Sequence, residues 1–307
     1  YGDHRDLHVR SRRQRQMCIR DRLKIILSTL CIITFGFMLY LAVTEPKSSK
    51  PIEYSLKNSD LTNGEYIYLA AGCSSCHIAQ GSKNKLILAG GQKFETPFGR
   101  FIAPNISNSV KYGIGSWEFI DFYNALKLGQ SPEGQHYYPA FPYTSYSKMK
   151  DQDIKDLWTF WKTLPSSETP NKDHELPILF DIRRNIGVWK KLYVSEEFVS
   201  EKVDRAAYIV EALAHCAECH TPRNLLGALK KNNWFQGAQD PSGKGRIPSI
   251  KTKDLRWTKE EIVEYLNSGF TPDYDVVGGK MASVVENISQ LSLLDKELIA
   301  EYLLRLN

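Results

Sequence analysis

One pentapeptide constrains this chain more than any other feature. Cys-x-x-Cys-His occurs twice, as Cys-Ser-Ser-Cys-His at 73–77 and as Cys-Ala-Glu-Cys-His at 216–220. The motif is the signature of c-type haem attachment. Its spacing follows from the chemistry. Two thiols add to two vinyl groups at neighbouring porphyrin edges, and two intervening residues make the turn that brings both sulfurs there. The histidine that follows can then offer its imidazole to the iron. A thioredoxin-like site would need a βαβ setting, which the sequence does not show. A zinc site would gather the cysteines and histidines into one cluster, yet the two copies stand far apart in the chain. A structural disulfide would need an oxidising compartment. Two copies in matching surroundings favour two covalent haems c, held by Cys73, Cys76, His77 and by Cys216, Cys219, His220.

The surroundings do match. A short helical, aromatic-bearing stretch precedes each motif, at 64–69 and 206–210. Trp117 precedes Gly129 by the same interval at which Trp257 precedes Gly269, and each pair spans a helical pattern. Each half then carries one methionine, Met149 or Met281, and closes on another helical pattern at 151–164 or 291–306. Matched landmarks in one order indicate a duplication. The expected division is a first domain over 60–165, a linker over 166–198 packed on one or both domains, and a second domain over 199–307.

An iron held by histidine has a second axial position. Met149 and Met281 are the expected ligands, and a thioether there raises the potential. The competing reading is that either methionine fills a core gap. His136, His174 and His215 are weaker rivals: His174 is expected exposed in the linker, and His215 directed away from His220. Trp158 and Trp161, three positions apart on a helix, are expected in the core against the helix before Cys73. The Tyr- and Pro-rich run from Tyr137 to Tyr146 is expected to wall the first haem.

The amino-terminal residues need separate treatment. Residues 1–8 and 12–21 are forward translations of the strings TACGGCGACCACCGAGATCTACAC and CGTCGGCAGCGTCAGATGTGTATAAGAGAC, which resemble a transposon-type sequencing adapter, in order and in frame. Residues 1–22 are therefore read as translated adapter and left out of fold reasoning. Their seven Arg and three Asp account for most of the formal charge of +5: without them 40 basic and 35 acidic residues become 33 and 32, a net +1. The basic arm that would suggest nucleic acid or a membrane surface disappears, and no nucleic-acid partner is expected. Met38 is then the first methionine, so the native start is expected upstream. Residues 25–43 form 19 uncharged, Leu-, Ile- and Phe-rich positions. They suffice for a membrane-spanning helix, and the expected anchor is 23–44. A cleaved signal would have a shorter apolar core and a small-residue cleavage site. Residues 45–59, polar with two prolines, read as a tether.

The chain from about 60 to 306 resembles the di-haem relatives of class I cytochrome c, and the cytochrome subunits of bacterial membrane-bound alcohol, aldehyde and gluconate dehydrogenases. The segments carrying the resemblance are Thr96-Pro97-Phe98-Gly99, Pro104-Asn105-Ile106, Gly113-Ile114-Gly115-Ser116-Trp117, Tyr138-Pro139-Ala140-Phe141-Pro142-Tyr143, Cys219-His220-Thr221-Pro222-Arg223-Asn224 and Gly269-Phe270-Thr271-Pro272-Asp273. Two departures stand out. Many alcohol dehydrogenase subunits carry the axial Met where this chain has Phe141, which moves the expected first ligand to Met149. Those subunits also usually carry three haems, and this chain has two motifs.

The expected fold is all-α: an N-terminal transmembrane helix, read from residues 25–43, followed by two tandem cytochrome c-like helical domains, as the resemblance implies. The resemblance also implies an electron carrier without substrate chemistry of its own, working between a periplasmic or membrane dehydrogenase and a cytochrome or oxidase of the respiratory chain. A di-haem peroxidase, with the first haem as catalytic site, is the main alternative, and a haem sensor ranks below it. Haem c is matured outside the bacterial cytoplasm, so the domains are expected in the periplasm and the anchor in the inner membrane, with Lys24 on the cytoplasmic side.

Overall fold

The computed structural model describes residues 4–47, 49, 54–243 and 245–306. Residues 1–3 of the adapter-like segment, and 48 and 50–53 of the expected tether, lie outside the described residues. The chain divides into two compact units, Tyr1–Glu45 and Pro46–Asn307.

The first unit is a single helix, α1 (His4–Val43). Its stretch Met17–Val43, 27 residues, is long and apolar enough to cross a membrane. Outside the adapter-like residues the helix covers 23–43, which at 1.5 Å per residue spans roughly 32 Å, about what a hydrocarbon core needs. Its large side chains, such as Ile25, Ile32 and Phe35, are exposed.

The second unit is rich in helix. Its first half holds α2 (Leu61–Ala70), α3 (Cys73–His77), α4 (Phe119–Leu128), α5 (Tyr143–Tyr146) and α6 (Asp151–Trp161). Helix α7 (Ile186–Tyr193) lies in the middle segment. The second half holds α8 (Arg205–Ala207), α9 (Ala217–His220), α10 (Thr252–Leu255), α11 (Lys259–Ser268), α12 (Gly279–Ile288) and α13 (Leu293–Leu304). Two short antiparallel hairpins interrupt the expected all-α pattern. They are β1 (Lys93–Thr96) with β2 (Gly99–Ile102), and β3 (Ala238–Gln239) with β4 (Arg246–Ile247). The first has a local cause. Thr96 Oγ1 donates to Gly99 O (2.7 Å) and accepts from Phe98 N (3.2 Å), closing a turn around Pro97.

The helices start where side-chain caps are available. Asp60 accepts from the amides of Thr62 and Asn63 (2.8 and 3.2 Å) at the start of α2. Thr258 and Glu261 form a capping box on α11, which satisfies two otherwise orphaned amides. Helix α2 crosses α6 so closely that a Cβ at Gly64 would lie 2.1 Å from Asp156 O. Buried Asp156 ties the crossing by accepting from Asp60 N (2.8 Å) and Asn63 Nδ2 (2.7 Å).

One hydrophobic core runs through both halves. It joins Ile67, Tyr68, Phe122, Trp158 and Trp161 to Ile209, Leu213, Phe235, Ile262 and Tyr302. Trp161 packs against Tyr68 of α2 at 6.1 Å, as its helical spacing anticipates. Polar contacts also cross between the halves: Lys150 N donates to Tyr208 Oη (3.1 Å), and Thr144 Oγ1 to Glu218 Oε1 (2.6 Å).

The middle segment is tied to both halves. Lys190 Nζ donates to the carbonyls of Leu128 and Gly129 (2.5 and 2.6 Å), and Trp189 Nε1 to Leu226 O (2.9 Å). Glu175 and Arg100 exchange backbone bonds of 2.9 Å each way, adding a rung to the first hairpin. Part of the expected tether is also anchored: Tyr54 stacks on Phe119 at 4.9 Å and shares a 2.8 Å bond with Thr159.

His174, expected in solvent, is half-buried on that hairpin. Its Nδ1 accepts from Ile102 N (3.1 Å), and its ring lies 5.3 Å from Phe101 and 5.6 Å from Tyr138. Desolvation lowers its pKa, with nearby Arg183 acting the same way against Asp173 and Asp181. The accepting nitrogen must be unprotonated. A depressed histidine means the unfolded chain binds more protons below about 6.5. The docking is therefore fully present above that pH and weakens as pH falls through the lower folded value. The hydrogen-exchange protection factor of the Ile102 amide should drop between pH 7.5 and pH 5. Equal protection at both would show that the ring does not gate this contact.

Candidate functional site

Each motif is built on a short helix that follows a left-handed residue. Gly72 takes φ 61 before Cys73. His215 takes φ 42 before Cys216, a conformation uncommon for a residue with a Cβ. Contacts with the first half surround His215: its Nε2 lies 3.3 Å from Ala71 O, and its ring is 5.6 Å from that of Tyr146. The lead-in to the second motif is α8 followed by a π-helical stretch, Tyr208–Leu213, where the first half has the plain α-helix α2. Such stretches are frequent at functional sites.

The two motif histidines are held identically. His77 Nδ1 lies 2.8 Å from Pro104 O, and His220 Nδ1 lies 2.8 Å from Pro248 O. A carbonyl can only accept, so each Nδ1 carries the proton and each Nε2 keeps its lone pair. That tautomer is the one an iron requires of a ligand bound through Nε2, with the second bond orienting the ring. Desolvation drives His77 down to about 4 despite the Pro104 bond, and lowers His220 in the same way. Both rings are thus neutral at physiological pH. The four cysteines Cys73, Cys76, Cys216 and Cys219 form no disulfide, so all four sulfurs are available for attachment. Among the described residues, no group of three or more His, Cys, Asp or Glu is placed to hold a metal ion by itself, which weighs against the zinc reading. Donor set and tautomer fit two covalent haems.

The two motifs converge. Burial raises Cys76 to about 11, while Lys280 lowers it and Cys219 raises it. Lys280 also acts on Cys219. Ser74 and Ser75, inside the first motif, hydrogen-bond to buried Asn287 (3.3 and 2.8 Å), which lies on α12 with Met281. Tyr146 Oη donates to Ala71 O (2.9 Å), and Cys73 and Cys76 add to the burial that raises its pKa. That ring stands beside the first motif.

The expected second ligands differ in setting. Met281 is partly buried near the start of α12. Met149 is only 1% exposed and belongs to the shared core. His136 is buried, with its carbonyl 3.4 Å from Arg183 Nη1.

Sequence reasoning assigned no role to Pro104, Pro248 or Asn287. A signal existed for the prolines: Pro-x-Ile recurs at 104–106 and 248–250, with the prolines 27 and 28 positions after His77 and His220. Asn287 carries no such mark, because its role arises only where the halves meet.

Comparison with known proteins agrees with this geometry. The family model described as cytochrome c matches residues 61–165. A di-haem c-type cytochrome of Cereibacter sphaeroides is 44% identical over 270 residues, covering 86% of this chain and 91% of that protein. The fructose dehydrogenase cytochrome subunit of Gluconobacter japonicus is 31% identical, covering 83% of this chain and 54% of the subunit. The cytochrome c subunit of the quinone alcohol dehydrogenase of Gluconobacter oxydans is 29% identical, covering 75% of this chain and 51% of the subunit. The chain thus spans about half the length of these dehydrogenase subunits and nearly all of the di-haem relative. With duplicated motifs, matched histidine tautomers and this coverage, the chain belongs to the di-haem c-type cytochromes.

Proposed function

We propose that this chain is a membrane-anchored di-haem cytochrome c that carries electrons from a periplasmic or membrane dehydrogenase to the respiratory chain. The observation that carries this reading is the twin arrangement of His77 and His220. Each is a neutral imidazole locked by a proline carbonyl, and their motifs converge around Lys280 and Asn287.

Cys73 and Cys76 hold one haem, Cys216 and Cys219 the other, and His77 and His220 bind the irons through Nε2. Met281 supplies a thioether to the second iron. Bound haem supplies a one-electron couple, and the protein tunes it by ligand choice and burial. The chain is not an enzyme by itself. Fructose, gluconate and alcohol dehydrogenases are the enzymes whose cytochrome subunits resemble it, and a comparable dehydrogenase is the proposed donor. The peroxidase alternative finds no support in these relatives.

Residues 60–165 and 199–307 are read as two cytochrome c-like domains joined by 166–198. The apolar helical stretch over 23–43 supports an anchor in the bacterial inner membrane. Residues 1–22 are read as adapter-derived. A genomic clone encoding them in frame would end that reading.

The function is tested in membranes that contain or lack the full chain. Alcohols, fructose and gluconate are supplied in turn while the haem c absorption is followed. Reduction by at least one substrate, with reoxidation by oxygen through the respiratory chain, is the expected result. Haem that dithionite reduces but no dehydrogenase substrate reduces would sink the proposal. Protease added to spheroplasts should digest the chain beyond residue 45, and protection there would reverse the topology.

A further inference from the structure

The two halves can be matched backbone bond by backbone bond. After α4, Tyr137 N donates to Gly129 O (2.7 Å), Ser131 N to Gln135 O (2.9 Å) and Gly134 N to Ser131 O (2.9 Å). After α11, Val277 N donates to Gly269 O (2.8 Å), Thr271 N to Asp275 O (2.9 Å) and Tyr274 N to Thr271 O (2.9 Å). Every donor and acceptor is displaced by one constant interval, Gly129 to Gly269 and Tyr137 to Val277. The isolated bridges Gln130–His136 and Phe270–Val276 keep that displacement. Continued along the chain, it places Met281 opposite Phe141.

The match can also be made from the carboxyl side. Ser147 N donates to Tyr143 O (2.8 Å), Lys148 N to Ser145 O (3.0 Å) and Met149 N to Tyr146 O (2.9 Å). Their counterparts are Ser289 N to Val285 O (2.8 Å), Gln290 N to Asn287 O (3.2 Å) and Leu291 N to Ile288 O (3.0 Å), at an interval longer by two. Met149 therefore corresponds to Leu291, and both fill the shared core at 1% and 5% exposure. The difference of two falls between Tyr137 and Tyr143. Whichever position absorbs it, the segment opposite Met281 is Tyr138-Pro139-Ala140-Phe141-Pro142, which contains no sulfur.

Phe141 also stands on the right side of its half. It is partly buried, with its ring 5.7 Å from that of Tyr146 and 5.9 Å from that of Tyr137. Tyr146 is the residue bonded to Ala71 O, just before the first motif.

We infer that Phe141 is the counterpart of Met281, that Met149 is a packing residue, and that only the second site has a methionine as axial ligand. The inference rests on the two-haem reading above and replaces Met149 as the first ligand. A phenyl ring has no lone pair to offer a metal, and a thioether raises the potential. The first site is therefore the lower-potential member of the pair, and Phe141 keeps it so.

The test uses the purified full chain in detergent. Haem content per chain is measured first, then the near-infrared Met-to-iron charge-transfer band by magnetic circular dichroism. Two haems with one methionine band between them is the expected result. Met149→Leu should leave the band unchanged, Met281→Leu should abolish it, and Phe141→Met should double it and raise the lower potential in a redox titration. Two haems with two methionine bands, or a band halved in Met149→Leu, would overturn the inference and leave the two-haem reading intact. A content of one haem would overturn both. A folded Phe141→Met chain that gains no band would also count against it. If that variant fails to fold, Met149→Leu still decides.

Discussion

Replacing Cys216 and Cys219 with serine will leave one covalent haem per chain, and replacing Cys73 and Cys76 will leave the other. Each pair belongs to one motif, and no described cysteine outside the motifs lies in the second compact unit. The pyridine haemochromogen assay and the mass of the intact chain should both report a halving. A second effect follows from the shared core. Because Ile67 and Trp161 belong to the same cluster as Leu213 and Tyr302, loss of either haem should lower the melting temperature of the whole second unit. Two separate transitions, one unmoved, would show that the halves melt independently.

Glu211→Ala should destabilise the protein by about 3 kcal/mol or more, the range for stranding several buried donors. Glu211 is 2% exposed. Its carboxylate accepts from Val199 N (2.6 Å), Ser200 N (2.9 Å) and Tyr302 Oη (2.8 Å). It sits within the π-helical stretch that leads to Cys216, so it fixes that stretch to α13 and to the chain entering the second half. Glu211→Gln keeps one acceptor oxygen and should cost less. Urea unfolding of both variants, followed by far-ultraviolet circular dichroism, checks the order. A change under about 0.5 kcal/mol for the alanine variant, the scale of an ordinary surface substitution, would show that water satisfies these donors.

Some of the site was legible because it is local. The attachment motifs are pentapeptides, and their chemistry is complete within that length. Helix periodicity and capping residues act over a few positions, so α2, α4, α6, α11 and α13 could be anticipated from the chain alone. The duplication was legible for the same reason: Trp117 to Gly129 and Trp257 to Gly269 keep one spacing.

Other features were decided by groups far apart in sequence. His174 was expected in solvent because its neighbours are polar, yet Glu175 pairs with Arg100 and draws it onto the hairpin. The joint at Asn287 reaches back across most of the second unit to Ser74 and Ser75, so no local pattern reveals it. The methionines show the boundary most plainly. One methionine in each half, after the cysteines and before the closing helix, looked like a matched pair. Backbone bonding places Met149 with Leu291 instead, because the path from the turn to the closing helix is shorter by two positions in the first half. The sequence by itself determined which cofactor this protein can attach and at which residues, since that chemistry is covalent and local. Only the tertiary structure decided which side chains stand at equivalent places around the two attachment sites, because equivalence there is set by hydrogen-bond register and packing.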